Sequence, residues 1–267
     1  IPNLHVMRVS NGGYKIVPRG FSDEYLLLVD GIERNSISNL TPDPMAFFAV
    51  TDIERIEFVH GPGSTMYGAN AYSGILNIIT RRAETPGHTV WADVAGGEWN
   101  QKYLSSGIRG KEGAWDYTTV VASNTLESQS PYKRVDAEFY SVRGALGYAF
   151  DDEHALRLSA AVQQGLYPEQ RPTGYDSVVR DAQMQELVVN YLQGQWAFRS
   201  YIRQELREIV VGGVTTSSLG KPTNVEPPGI IATRETFVNR DLISDSELTY
   251  ATEVFDDSFV NLGANYR

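Results

Sequence analysis

Residues 84 to 267 repeat a pattern that few folds accommodate: segments of alternating apolar and polar residues, joined by connections that are short, then long, then short again. Such a two-residue period marks β-strands, because successive side chains point to opposite faces. Strands are predicted near 88–96, 101–109, 114–123, 138–150, 154–163, 185–193, 195–205, 246–255 and 258–267. Tight connections follow the second, fourth, sixth and eighth: Gly110-Lys111-Glu112-Gly113, Asp151-Asp152-Glu153, Gly194 and Asp256-Asp257. Those after the third, fifth and seventh are long, polar and rich in Pro, Gly, Ser and Thr, the last running from about 206 to 245. A transmembrane β-barrel has this asymmetry, with tight turns on one side and larger loops on the other. A soluble antiparallel sheet with one buried face accounts for the alternation, but not for two classes of loop.

The parity within strands assigns the faces. Tyr140, Val142, Leu146 and Tyr148 share one side and Arg143 stands on the other; Leu156, Leu158, Ala160 and Val162 oppose Arg157, Ser159 and Gln163; Val260, Leu262 and Ala264 oppose Asn261 and Asn265. The first set would meet lipid and the second an interior. Aromatics gather beside the tight turns, at Trp115, Tyr117, Tyr148, Phe150, Tyr191, Trp196, Phe255 and Phe259, where an interfacial girdle falls. Fifteen Tyr, ten Phe and four Trp suit two such girdles. The mean hydropathy of -0.29 is compatible with a membrane wall, since alternation hides its apolar half. No run reaches the roughly 18 apolar residues that a membrane helix needs.

The first third reads differently. Asp30-Gly31, between Tyr25-Leu26-Leu27-Leu28-Val29 and Ile32, is a strong hairpin signal. Asp43-Pro44 is placed to start a short helix through Phe47, Phe48 and Val50. Residues 53–82, IERIEFVHGPGSTMYGANAYSGILNIITRR, read as a strand with Ile56 and Phe58 on one face, a Gly61-Pro62-Gly63 stop, a helical turn over 65–71 capped by Ser64, and an apolar strand over 75–79. The product is a small α+β globule that fits inside a wall of strands.

This segment resembles the end of the plug domain of TonB-dependent outer-membrane receptors, in which a strand, a Gly-Pro turn, a Tyr-Gly pair and a strand ending Ile-Ile-Thr follow in that order. Arg19-Gly20-Phe21 and Leu28-Val29-Asp30-Gly31 are similar to two further elements of the family, at the expected distance upstream. One position departs: the family has Arg before the Gly-Pro, paired with barrel carboxylates, and here His60 stands there. The resemblance implies an α+β plug over 1–83, N-terminally incomplete, followed over 84–267 by the first part of an antiparallel transmembrane β-barrel, about nine strands of about 22. It implies a fragment without the start of the plug, the TonB box or most of the barrel.

The function implied is energy-coupled uptake of a scarce nutrient, such as a ferric siderophore or cobalamin, across the outer membrane of a Gram-negative bacterium. The partners implied are TonB with its inner-membrane energising complex, outer-membrane lipid, and the nutrient chelate. The alternative is a surface receptor or signalling protein of the same architecture without productive import. Substrate contacts are expected at Arg19, Arg34, Asn35, Ser36 and Asn39, because the family places ligand-facing loops after these motifs. Arg19 and Arg34 are equally suited to plug-to-barrel salt bridges. Gly61, Pro62, Gly63, Tyr67, Gly68 and Gly74 are expected to shape the plug.

Nothing in the residues points to catalysis, a cofactor or a metal. Gly61 to Ser64 lacks the Gly-Lys-Ser/Thr ending of a phosphate loop. Ser130-Pro131-Tyr132-Lys133 matches S-x-x-K but has no Lys-Thr-Gly partner. His5, His60, His88 and His154 lack metal-ligand spacing, and the absence of cysteine removes thiol chemistry and Cys-ligated metals. Asp151-Asp152-Glu153 and Asp256-Asp257 suit solvated turns better than a calcium site. A net charge of -10, most of it downstream of residue 83, gives no footprint for nucleic acid.

Overall fold

The computed structural model describes residues 4–8, 14–18, 25–35, 49–60, 71, 74–98, 100–127, 137–169, 175–213, 233–255 and 258–266. Near the N-terminus, β1 (Leu4–Arg8) and β2 (Tyr14–Pro18) form a two-stranded antiparallel sheet. A four-stranded sheet combines β3 (Leu26–Val29), β4 (Ile32–Glu33), β5 (Ile53–His60) and β6 (Gly74–Thr80) in the order β4-β3-β6-β5. Asp30 and Gly31 join β3 to β4 with φ of 48° and 80°, the pair of positive angles that a two-residue Asp-Gly hairpin requires. β3 lies between two neighbours and is buried throughout, so it reads as an unbroken apolar run instead of an alternating one.

One side of this sheet packs Leu26 and Leu28 with Ala71 and Ile75, and the other packs Tyr25 and Leu27 with Leu76, Phe58 and Ile78. Gly74 opens β6, where an added Cβ would stand 2.7 Å from the Val59 carbonyl, so only glycine allows the two strands to approach there. The expected partnership of Ile56 with Phe58 on a buried face is half met. Phe58 reaches the core, whereas Ile56 is 48% exposed because β5 is the sheet's edge and its register shifts between Ile53 and Arg55. The turns over 61–70 and the helix expected near Asp43-Pro44 lie outside the described residues.

The remaining strands form one nine-stranded antiparallel sheet in strict sequence order, the wall: β7 (Gly87–Gly96), β8 (Lys102–Glu112), β9 (Trp115–Leu126), β10 (Ala137–Ala149), β11 (His154–Glu169), β12 (Tyr175–Gln193), β13 (Trp196–Gly213), β14 (Thr233–Phe255) and β15 (Ser258–Tyr266). The sheet is open, with β7 and β15 at its edges. Its tight turns lie at one end. Gly113 and Gly194 take positive φ at the first turn position, 57° and 55°, as two-residue hairpins demand. The first turn falls at 113–114 and does not begin at Gly110, because Gly110, Lys111 and Glu112 stay paired with Tyr117, Asp116 and Trp115.

Four strands are longer than their apolar patterning. β11 to β14 run 16, 19, 18 and 23 residues, against the 9 to 11 or so that cross a bilayer. Pairing continues through polar sequence as far as Gly213 opposite Thr233, so β13 and β14 consume both ends of the loop expected over 206–245.

Candidate functional site

The wall's two faces differ as the parity predicts. Val142, Leu146, Leu158, Val162, Leu187 and Ile202 are between 41% and 55% exposed on the outer face, an apolar display that water does not favour and hydrocarbon does. Arg143 and Arg157 point the other way and keep 12% of their side-chain surface; Asn261 lies where side chains are not described. At the tight-turn end, ring centroids lie 4.6 Å apart for Trp115 and Tyr148, which are tilted by 56°, 4.9 Å apart for Tyr148 and Phe150, and 4.6 Å apart for Trp196 and Tyr250. His88 meets the Tyr117 hydroxyl at 2.7 Å across Gly110.

Against the inner face sits the N-terminal sheet, held at two docks. The first is the short 3₁₀ turn Val50–Asp52 with Ala49 before it. Ala49 packs on Val120, Ala122 and Trp91; the Val50 N–H donates to the Tyr103 hydroxyl at 3.1 Å; and the Thr51 and Ser105 hydroxyls lie 2.7 Å apart. Asp52, 2% exposed, accepts two bonds from Arg143, Nε to Oδ2 at 2.5 Å and Nη2 to Oδ1 at 2.8 Å. Burial pushes the Asp52 carboxyl above its ordinary value, and the hydrogen bonds and charge of Arg143 pull it back.

The second dock is the β3–β4 hairpin on β12 to β14. Ile32 packs with Val188, Tyr201 and Ile243. Arg34 Nη2 donates to Glu186 at 2.5 Å, both side chains at most 5% exposed, and its Nη1 approaches the Met184 sulfur at 3.1 Å. Arg203 donates to the Glu33 carbonyl and pairs with Glu205 at 2.9 Å. Arg199 Nη1 donates to the Gly31 carbonyl at 3.0 Å. Asp30 in the same turn accepts from the Thr80 N–H at 2.9 Å and hydroxyl at 2.7 Å, tying the hairpin tip to the strand that leads into the wall.

Between the docks, the wall braces itself. Arg157 of β11 pairs with Asp116 of β9 over the strand between them, and Gly147 of β10 is the register partner of both. A Cβ at 147 would come within 1.9 Å of Asp116 Oδ2, so the bridge exists because the middle strand has no side chain there.

Of the residues expected to touch substrate, two are described. Arg34 is 4% exposed and bonded to the wall; Asn35 is 2% exposed, accepting from the Leu27 N–H at 2.8 Å and donating to the Tyr25 carbonyl at 2.9 Å. Arg19, Ser36 and Asn39 lie outside the described residues, as do Gly61, Pro62, Gly63, Tyr67 and Gly68. Asp52, Glu186, Arg199 and Arg203 were not among the expected site residues. Their partners stand up to 170 positions away, beyond what local patterning reaches.

Residues 1–75 match the family model of the TonB-dependent Receptor Plug Domain. The plug match, the BtuB relatives below and the structural neighbours together support a fragment of a TonB-dependent receptor. It is 30% identical over 154 residues to the vitamin B12 transporter BtuB of Vibrio cholerae, covering 55% of this chain and 25% of that protein. The BtuB of Vibrio vulnificus is 34% identical over 90 residues, which are 32% of this chain and 14% of the relative. The chain thus spans about a quarter or less of the curated relatives it matches. Among solved structures, the copper transporter OprC superposes with a TM-score of 0.74 at 13% identity, over 99% of this chain and 41% of that one. The pyoverdine-bound FpvA of Pseudomonas aeruginosa gives 0.69 at 16%, over 99% and 38%. At such identities the likeness is one of fold.

Proposed function

We propose that this chain is the plug, over residues 1–83, and the first strands of the wall, over 84–267, of an outer-membrane receptor that takes up a scarce nutrient with energy delivered through TonB. The observation that carries the reading is the pairing of an apolar outer face with an inner face whose charges grip a folded N-terminal sheet. A soluble sandwich would turn the first face inward, and an open pore would leave the second unbonded. Outer-membrane lipid of a Gram-negative bacterium covers the outer face. The cargo is a ferric siderophore, a cobalamin or another large chelate. Arg19, Ser36 and Asn39 remain the proposed cargo contacts, with Arg34 and Asn35 as the base that fixes the start of their loop.

The test is uptake in cells carrying the complete receptor. Radiolabelled cyanocobalamin and an iron-55 siderophore are supplied with and without TonB. Accumulation of one of them that disappears without TonB is the expected result, and equal accumulation in both strains refutes energised import.

A further inference from the structure

Below the second dock, at the tight-turn end, a cavity of about 910 Å³ separates the plug sheet from the wall. Leu26, Asn77 and Thr80 line it on the plug side; Asn190, Phe198 and Thr249 line it on β12 to β14. Its upper limit is the Asp30–Gly31 turn, held to β13 by Arg199. That contact is fitted tightly: an added Cβ on Gly31 would stand 2.5 Å from Arg199 Nη1.

The guanidinium has a second allegiance within the wall. Its Nε donates to Asn190 Oδ1 at 3.1 Å, and Glu247 of β14 lies 3.7 Å from Nη1. What Arg199 grips on the plug is a neutral carbonyl, so departure of the turn strands no charge on either partner: the arginine keeps Asn190 and closes on Glu247. The first dock has no such exit, because parting Asp52 from Arg143 leaves two buried ions alone. The Asp30–Gly31 tip alone is therefore cheap to lift, whereas lifting the rest of the hairpin parts Arg34 from Glu186 and lifting the 3₁₀ turn parts Asp52 from Arg143.

We propose that the cavity between the plug sheet and β12 to β14 is the compartment through which an imported polar solute leaves the receptor, and that Arg199 is the latch that closes it by holding the Asp30–Gly31 turn against β13. The route rests on the uptake reading above; the latch does not. Arg199 is a positioning residue that acts on the solute through the turn.

These 267 residues contain no cysteine, so single reporters placed here give a clean test once any cysteine elsewhere in the complete receptor is replaced by serine. Thr249→Cys places one reporter inside the cavity, and Ser105→Cys places one beneath the first dock, where the side chain is fully buried. A membrane-impermeant sulfonated maleimide is added outside whole cells that carry the complete receptor. Arg199→Ala is expected to speed labelling at position 249 about tenfold or more, the change that losing one hydrogen bond to a charged group produces in an open population. Labelling at position 105 stays slow, Arg199→Lys restores most of the protection at 249, and Glu247→Gln slows labelling further by removing the alternative partner. An unchanged rate at 249 overturns the latch, and so does equal acceleration at 105, which would mean a plug loosened as a whole. Labelling needs neither cargo nor TonB, so its failure is separable from a failure of the uptake experiment.

Discussion

Replacing Arg143 with methionine keeps most of the stem that packs on the inner wall and removes both donors to Asp52. The carboxyl is left 2% exposed, with bonds of 2.5 and 2.8 Å lost. Two unit charges at about 4 Å and an effective dielectric of about 20 attract by about 4 kcal/mol, and stranding one member of a buried pair costs about 3–5 kcal/mol. The two figures agree, so local opening of the first dock should be easier by that amount. Hydrogen exchange reads it directly. The Asp52 N–H, bonded to the Ala49 carbonyl at 2.9 Å, and the Arg81 N–H, bonded to the Asp52 carbonyl at 2.7 Å, report on this turn. Their exchange should quicken between about a hundredfold and a few thousandfold, at about 1.4 kcal/mol per decade. The amides of β12 paired with β13 should not respond.

The pH dependence has a definite sign. Burial raises the folded Asp52 value above its ordinary 3.8, so the carboxyl's contribution to docking is complete below that ordinary value and falls away as pH rises through the folded one. With methionine at 143 only the weaker pull of the Arg109 charge offsets burial, and the fall is larger. The ratio of variant to native exchange rates should therefore be smaller at mildly acidic than at mildly alkaline pH. A ratio within about threefold of unity at every pH would refute the reasoning, since a pair worth its desolvation and no more is one whose loss goes unnoticed.

Gly147→Ala puts a methyl where Asp116 and Arg157 meet, and should destabilise the detergent-solubilised wall by about 1–3 kcal/mol, the usual cost of overpacking, in thermal unfolding followed by circular dichroism. Leu158→Arg, on the lipid face and 41% exposed, should cost about 2–4 kcal/mol near the midplane in refolding into vesicles, and the isologous change at a polar loop position should cost little. At the turn before β11, Asp151 is held below its ordinary value by His154 Nδ1 at 2.7 Å and by the Glu153 N–H at 2.9 Å. A lowered value stabilises the turn above pH of about 4 and loses that stabilisation as pH falls through the folded value. Asp151→Asn should flatten the acid limb of amide exchange at Glu153 and His154.

What could be read from the residues was what repeats locally. Leu156, Leu158, Ala160 and Val162 declare a lipid face by parity alone, and Asp30-Gly31 declares a hairpin by its tolerance of positive φ. Strand length was not legible in β12 to β14, because ladder hydrogen bonds are blind to side-chain polarity and Val210 and Val211 pair with Thr236 and Glu235 as readily as an apolar run would. Nor were the docks. Asp52 reads as an ordinary acid after a loop, and its arginine is 91 positions on. Arg34 was open to either a ligand loop or a plug-to-barrel salt bridge, and local sequence could not name Glu186 of the wall as its partner. Only closure of the chain against the wall decides between a solvated arginine and a paired one.

The two docks together explain how the plug finds one orientation. At the 3₁₀ turn the plug presents an anion to a wall cation, Asp52 to Arg143; at the hairpin it presents a cation to a wall anion, Arg34 to Glu186. Each pair is buried, so neither can be exchanged for solvent without cost. A plug turned so that the hairpin met β10 would bring Arg34 to Arg143 and leave Glu186 and Asp52 facing unbonded space, two stranded charges and one like-charge contact at once. Opposite signs at the two docks thus specify orientation more strongly than their apolar contacts, which are small on both sides: Ala49 on Val120 and Ala122, and Ile32 on Val188, Tyr201 and Ile243. Exchanging the signs at one dock, Asp52→Arg with Arg143→Asp, preserves the pair while making both plug charges positive. If orientation rests on the opposition of signs, the double variant should dock with native protection at Asp52's neighbours only when Glu186 is intact, and Glu186→Gln should now release the whole plug, whereas in the native background it should loosen the hairpin alone.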